Sequence, residues 1–301
     1  MATLSAPKNR RPTCPSCSRP TRFCLCTRLK TPILNNSIAV TILQHSLEKK
    51  HPLNSAKIAM LGLKNVDLAS ISDVISEAHF DIHFLESNLE LGHDDSIEDR
   101  KKIESFQPAD ISFTIEKKGT VTSLTRIWNE SKTRDFDELL IDRAAIDGIR
   151  NGFTVKKMQR NRDHDYVGEF KVVIPPRSVL LFPSEDSIGI EDADFDIKNV
   201  IVLDGTWSKA TKMYKENPWL KLLPHLKLDI EKMSLYGEVR RQPKAGCLSS
   251  IESIVYALKA IGEDLEGLDC LLDVFESMVV DQRRCKNERL EATLDPCKTL
   301  L

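Results

Sequence analysis

An acidic residue that ends a buried hydrophobic run just before a helix can cap that helix or take protons in an active site. Asp204 stands at such a point: Val200-Ile201-Val202-Leu203 reads as a strand, and Asp204-Gly205-Thr206-Trp207 follows before an amphipathic helical pattern begins. Two other runs end in comparable chemistry. SIAVTILQH (37–45) closes on Gln44-His45, and SVLLFPSED (178–186) turns at Pro183-Ser184. Each of these residues also has an ordinary structural reading. Asp204 or Thr206 can be a helix cap. Trp207 lies at helical spacing with Ala210, Thr211 and Tyr214 and can be core. Ser249 and Glu252 have the Ser-x-x-Glu spacing of a capping box, and His45 alone carries no special signal. Periodicity does not choose between these readings.

A second constellation is soft and sulfur-rich. Four of the eight cysteines, Cys14, Cys17, Cys24 and Cys26, fall within thirteen residues, CPSCSRPTRFCLC. The two-residue gap of the first pair lets two thiolates from one turn reach a single ion; the one-residue gap of the second is less usual but sterically possible. Four thiolates closing a tetrahedron make a structural zinc site with no open position for catalysis. The alternative is four free thiols on an unstructured arm. Cys247, Cys270, Cys285 and Cys297 are scattered and read as ordinary core or surface thiols.

The elements that must position these residues alternate. Behind a basic, cysteine-rich arm (1–36), the run 37–45 reads as a strand, NSAKIAMLGL (54–63) as a helix with Asn54 or Ser55 at its start, and HFDIHFLES (79–87) as a second strand. From 93 to 177 the texture changes: ISFTIEKKGTVTSL (111–124) alternates about a Lys-Lys-Gly turn like a hairpin, which marks a β-rich insertion. The strand pattern resumes at 178–186 and 199–207. The last third is helical, with Ile251, Ile254, Val255, Leu258 and Ile261 on one stripe, followed by LDCLLDVFESMVVDQRR. Strands alternating with helices predict an α/β domain (37–301, interrupted by 93–177) built on a mostly parallel sheet with helices on both faces. In such sheets ligands bind beyond the carboxyl ends of the strands, where Gln44-His45, Pro183-Ser184 and Asp204-Gly205 all fall.

Composition narrows the setting. The chain has 301 residues, 41% of them apolar, enough for a sizeable core. Its net charge of −2 is unevenly spread: residues 1–30 carry seven basic side chains and no acid, so that end can meet a polyanion. No apolar run has the length of a membrane span, and no signal-peptide core opens the chain. The expected location is intracellular, cytoplasmic or nuclear, in a reducing compartment where clustered cysteines more often mean metal than disulfides.

LDGTW followed by an amphipathic helix resembles the Asp-x-Thr-Trp motif of the DTW-domain family. CPSCSRPTRFCLC is similar to that family's cysteine arm, LQHSLEKKHPLNSAKIAMLGL to its Gln-His…Glu…Asn-Thr block, VLLFPSE to its Leu-Tyr-Pro-Ser block, and YGEVRRQPKAGCLSSIESIVYAL to its Arg…Leu-Ser-Thr-x-Glu-Ala block. These blocks lie in family order over roughly 1–92 and 178–285. Ser46 replaces a usual proline, Ser55 and Ser250 replace usual threonines but keep the hydroxyl, and 93–177 falls outside the pattern.

The resemblance implies a tRNA-uridine aminocarboxypropyltransferase with a SPOUT-like, knotted fold, which pattern alone does not yield. Such an enzyme moves the 3-amino-3-carboxypropyl group of S-adenosylmethionine to N3 of a uridine in tRNA and leaves 5′-methylthioadenosine. Asp204 then becomes the general base for N3. Leu181, Pro183, Ser184, Gly205, Thr206, Trp207 and Ser249 form the donor side, and His45, Asn54, Arg240 and Arg241 the substrate side, with Arg240 meeting either the donor carboxylate or a tRNA phosphate. The cysteine arm, with its zinc, meets the tRNA, and no membrane is involved. Two rival readings stay open: a zinc-containing RNA-binding protein without catalysis, and an S-adenosylmethionine-dependent RNA methyltransferase.

Overall fold

The structure is a computed structural model whose described residues are 12–85, 109–160, 165–230, 233–239, 246–263 and 266–294. Apolar alternation builds two six-stranded sheets. The first joins β1 (Ala39–His45), β2 (Val66–Ile71), β9 (Ser178–Leu181), β10 (Ile188–Gly189), β11 (Asn199–Asp204) and β12 (His225–Lys227) in the order β10-β12-β9-β11-β1-β2. Every pairing in it is parallel, as expected. The second joins β3 (Glu77–Phe84), β4 (Ile111–Glu116), β5 (Val121–Arg126), β6 (Asn129–Thr133), β7 (Phe153–Arg160) and β8 (Tyr166–Ile174), all antiparallel. The hairpin read around Lys117-Lys118-Gly119 is β4–β5, and its turn needs positive φ at Lys118 (78°) and Gly119 (87°).

Two strand assignments change. HFDIHF is a strand, but β3 belongs to the antiparallel sheet; the parallel neighbour of β1 is β2, a segment with no strand pattern in the sequence. The long charged stretch is also not set apart from the rest. Side chains alternate across β1 and β11, so Val40, Ile42, Val200 and Val202 face one way, and Leu43, Ile201 and Leu203 the other. The first face packs on α1 (Ala56–Gly62), α4 (Ser250–Ala260) and α5 (Leu268–Leu294). The second shares one core with α3 (Trp207–Lys215), with Trp219 and Leu220, and with the antiparallel sheet's Phe80, Phe113, Phe153 and Val155. Helices therefore cover one face, while a helix and a second sheet cover the other. Phe80 stacks on Phe113 at 4.8 Å between ring centres, and Phe153 meets Trp219 edge-on at 6.2 Å. The remaining helix among the described residues, α2 (Arg143–Arg150), lies beside the antiparallel sheet and is capped by Asp142.

The chain passes from β1 through α1 to β2 on one side, whereas β11 and β9 lie on the other. The order of the parallel sheet reverses between β1 and β11, and the carboxyl ends at that reversal are Gln44 and Asp204. No described helix is long and apolar enough to cross a membrane.

Candidate functional site

Register brings the first two functional groups together. Gln44 and Asp204 are paired positions on neighbouring parallel strands, so both side chains leave the same face. Gln44 donates its Nε2 hydrogen to Asp204 Oδ2 at 2.8 Å, and Ser250 at the start of α4 donates its hydroxyl to Oδ1. Asp204 is buried, at 5% exposure, and both its oxygens are held. It does not cap α3. That task falls to Thr206, whose Oγ1 accepts from the backbone N–H of Lys209 at 3.3 Å. The carboxylate is directed into the fold's cleft, away from the helix whose cap it resembles in sequence.

The cleft beyond these strand ends is lined by Leu181, Pro183, Gly205, Thr206, half-buried Trp207 and Ser249, all named from the sequence, together with Glu48, Tyr236 and Ser250. Trp207 is therefore a wall of the cleft and not plain core. Gly205 permits a close turn: a Cβ there would meet the Cβ of Lys209 at 3.2 Å. Ser249 sits at the rim, but its hydroxyl is used as the N-cap of α4, in a reciprocal box with Glu252. Ser184 lies one residue beyond the lining, with a buried hydroxyl that has no partner among the described residues.

The substrate-side expectations divide. Asn54 lines the cleft; its Nδ2 donates to the Glu48 carbonyl at 3.0 Å, leaving Oδ1 buried and without a partner among the described residues. His45 does not line the cleft. Alternation along β1 sends it to the opposite face from Gln44, where Nδ1 accepts from the Leu47 N–H at 3.2 Å and Nε2 meets Asp73 Oδ1 at 3.0 Å. Because a backbone N–H can only donate, Nδ1 carries no proton and Nε2–H is the donor to Asp73. Lys212 of α3 also holds Asp73, at 2.8 Å. Burial works to raise the Asp73 pKa, but Lys212 and His45 together lower it. Arg240 and Arg241 lie outside the described residues.

Sequence reasoning missed Gln44 as the partner of Asp204, Ser250 as its second donor, and Glu48. The last is 2% exposed at the cleft wall and accepts from Lys209 Nζ at 2.9 Å. Its place as the Glu of the Gln-His…Glu…Asn-Thr block was the available signal for it.

The four arm cysteines converge. Their sulfurs lie within 4.8 Å of one another, with Cys14 to Cys26 and Cys17 to Cys24 each at 3.8 Å. A tetrahedron with metal–sulfur bonds of about 2.3 Å has edges of about 3.8 Å, so the cluster fits such an ion. The backbone N–H of Cys17 is the main influence drawing the Cys14 thiol down to about 6. Burial pushes Cys26 up to about 12, so not all four sulfurs are thiolates near neutrality without a cation among them. The arm is no loose tail: Cys17, Cys24 and Leu25 are buried in the core with α1 and α5, and Arg28 donates to Ser277 and Asp281 of α5.

A family model described as the DTW domain matches residues 11–92 and 124–283, resuming inside the stretch expected to interrupt it. Among curated proteins, the chain is 32% identical over 108 residues to a Drosophila melanogaster protein named tRNA-uridine aminocarboxypropyltransferase 2, covering 35% of this chain and 42% of that one. It is 28% identical over 88 residues to the Mus musculus protein of the same name, covering 28% of this chain and 29% of that one. The matched part thus spans less than half the length of either relative. No solved structure matches.

Proposed function

Because the chain belongs to the DTW-domain family, we propose that it is a tRNA-uridine aminocarboxypropyltransferase that modifies N3 of a uridine with the 3-amino-3-carboxypropyl group of S-adenosylmethionine. The observation that carries this reading is Asp204. It is a buried carboxylate with two fixed donors, at the order reversal of a parallel sheet, facing a cleft and relieved of any capping duty.

Donor binding falls to the loops after β9 and β11, Leu181 to Ser184 and Gly205 to Trp207, with the rim at Ser249 closing the far side. Selection of one of three activated carbons is a matter of orientation, which a walled cleft supplies. Uridine N3 is a neutral N–H and a poor nucleophile until deprotonated, so Asp204 acts as the general base. A carboxylate offers about four lone-pair positions, and an approaching N3–H would bond to one of them. As the N3–H proton passes to Asp204, the N3–carbon bond forms and the carbon–sulfur bond breaks. The sulfonium becomes the neutral thioether 5′-methylthioadenosine. Gln44 and Ser250 are positioning residues: they keep the carboxylate aimed without touching the substrate. The buried Asn54 Oδ1 is an acceptor suited to an N–H on either reactant.

The cysteine cluster holds a structural zinc, supported by its sulfur-to-sulfur spacing. The order of the parallel sheet suits the SPOUT-like, knotted path implied by the family. The setting is the cytoplasm or nucleus, where tRNA is available. The test is incubation of the purified chain with tRNA and S-adenosylmethionine, followed by nucleoside and by-product mass spectrometry. Aminocarboxypropyl-uridine with methylthioadenosine supports the proposal. Methyl-uridine with adenosylhomocysteine would make the chain a methyltransferase, and tRNA binding with neither product would make it a binder.

A further inference from the structure

We infer that a basic groove beside the cleft is the path by which the single-stranded RNA around the target uridine reaches Asp204; RNA as the occupant rests on the transferase reading. The groove runs between the cysteine arm, the loop after β1, α1 and the far part of α5. Its walls carry Arg19 and Arg22 from the arm, Lys49 and Lys50 from the loop, Lys57 from α1 and Arg289 from α5. The acid on this wall, Asp281, is already taken by Arg28 and Arg284. Arg22, Lys49, Lys50 and Arg289 are exposed, and none of them has an ion-pair partner among the described residues. A groove with this charge fits a polyanion.

Three features favour a nucleic-acid strand over a small anion. First, the cations come from separate elements spread along the groove, which suits successive phosphates. Second, Phe23 stands in the wall with the Arg22 guanidinium 4.5 Å from its ring centre, an arrangement on which a splayed base can stack. Third, the groove adjoins the cleft. Asn54 lines both, and Gln44, which lines the groove, is the residue hydrogen-bonded to Asp204. A strand lying in the groove therefore passes the unpartnered Asn54 Oδ1 before its base meets the carboxylate. The arm's metal cluster then has a task remote from the chemistry: docked on α1 and α5, it holds Arg19, Arg22 and Phe23 as one wall.

The test uses the full chain and tRNA binding across a salt series. The triple variant Arg22→Ala, Lys49→Ala, Lys50→Ala is compared with Lys64→Ala, Lys132→Ala, Lys156→Ala, which removes the same charge from exposed positions outside the groove. The groove variant should lose at least tenfold in tRNA affinity. Its log–log salt slope should fall by about one for each phosphate that is no longer neutralised. S-adenosylmethionine affinity and the melting temperature should be unchanged, and the control set should bind nearly as wild type. Wild-type affinity and slope in the groove variant, or equal losses in the control, would overturn the inference, as would a wild-type chain that does not bind tRNA. If the wild type binds through these residues yet forms no modified uridine, the transfer reading fails and the groove stands. If the wild type modifies tRNA while the groove variant binds and turns over equally well, only the groove fails.

Discussion

Asp204→Asn, set beside Thr206→Ala, separates proton transfer from architecture. The amide keeps the shape of the carboxylate and one carbonyl oxygen, so Oδ1 still accepts from Ser250. The new Nδ2 faces Gln44 Nε2 where 2.8 Å now separates a donor from an acceptor, and two buried donors cannot remain so. Rotating the Gln44 amide restores a neutral bond. Exchanging a charged acceptor worth roughly 1.5–3 kcal/mol for a neutral one worth roughly 0.5–1.5 kcal/mol costs about 1–2 kcal/mol, partly offset by no longer burying a charge. The melting temperature should therefore fall by only a few degrees. Transfer should fall on the order of 10²–10⁴-fold, which is about 3–5 kcal/mol of barrier. Higher pH should restore part of the rate, as N3 then loses its proton unaided. Thr206→Ala removes the true cap of α3 and should cost about 0.5–2 kcal/mol of stability. Because Thr206 also lines the donor side, S-adenosylmethionine affinity should weaken with it, while single-turnover transfer at saturating donor stays within a few-fold of wild type and shows no rescue at high pH. Single-turnover transfer across pH, run with thermal melts, reads both variants. A wild-type rate in Asp204→Asn, or parallel losses of rate in the two variants, would refute the assignment.

Other outcomes follow from the same geometry. Ser250→Ala leaves donor affinity intact and lowers the transfer rate, because it removes one of the donors that hold Asp204 in place; S-adenosylmethionine titration beside single-turnover assays checks the split. Stoichiometric metal is expected by elemental analysis, and chelation should lower the melting temperature, since Cys17, Cys24 and Leu25 are part of the core. Phe113→Ala should cost about 3–5 kcal/mol in denaturant unfolding, and replacing residues 109–174 with a short linker should abolish soluble folding, because that sheet covers Leu43, Ile201 and Leu203. Burial works to raise the Asp142 pKa, but Trp128, the N–H groups of Ala144 and Ala145, and Arg126 hold it below the ordinary carboxylate value. Its stabilising contribution is therefore present above about pH 4 and lost as pH falls through the depressed value. Asp142→Asn should lower stability at neutral pH and flatten its decline below about pH 4, read from melts at both.

The legible parts of the molecule were those with strong local pattern. β1, β11, the stripe of α4, the capping box of Ser249 and Glu252, and the cysteine cluster all carry their signal within a few residues. β2 was missed because it is an edge strand: the residues of VDLASI before buried Ile71 are all exposed or partly so, which leaves no apolar alternation to read. β3 was recognised as a strand but assigned to the wrong sheet, since alternation of Ala78, Phe80 and Ile82 says nothing about partners that come from 111–116 and 153–160. Within the site, adjacent residues were weighed by type and not by side. His45 has the more reactive side chain, yet the two-residue period of β1 gives the cleft to Gln44. Capping was likewise undecidable from spacing, because Asp204 and Thr206 both precede the helix and only the backbone path selects Thr206.

The pairing of Gln44 with Asp204 spans 160 positions of chain, and Ser250 lies 46 further on. Cross-links of such sequence separation close large loops, whose entropy must be met before the contacts repay it, and they slow folding. During synthesis, β1 emerges with only β2 available to it, and its other edge stays open until β11 has been made. In that interval Val40, Ile42 and Leu43 lie on a strand with one unpaired side, the condition under which strands pair with the wrong chain. The antiparallel sheet is made in the same interval, from neighbours joined by short turns as well as by the longer β3–β7 pairing. It can offer its Phe80 and Phe113 face to Leu43 before β11 arrives. The antiparallel sheet, which interrupts the parallel one in sequence, is thus placed to act as its chaperone in time, sheltering the waiting strand until Asp204 is delivered beside it.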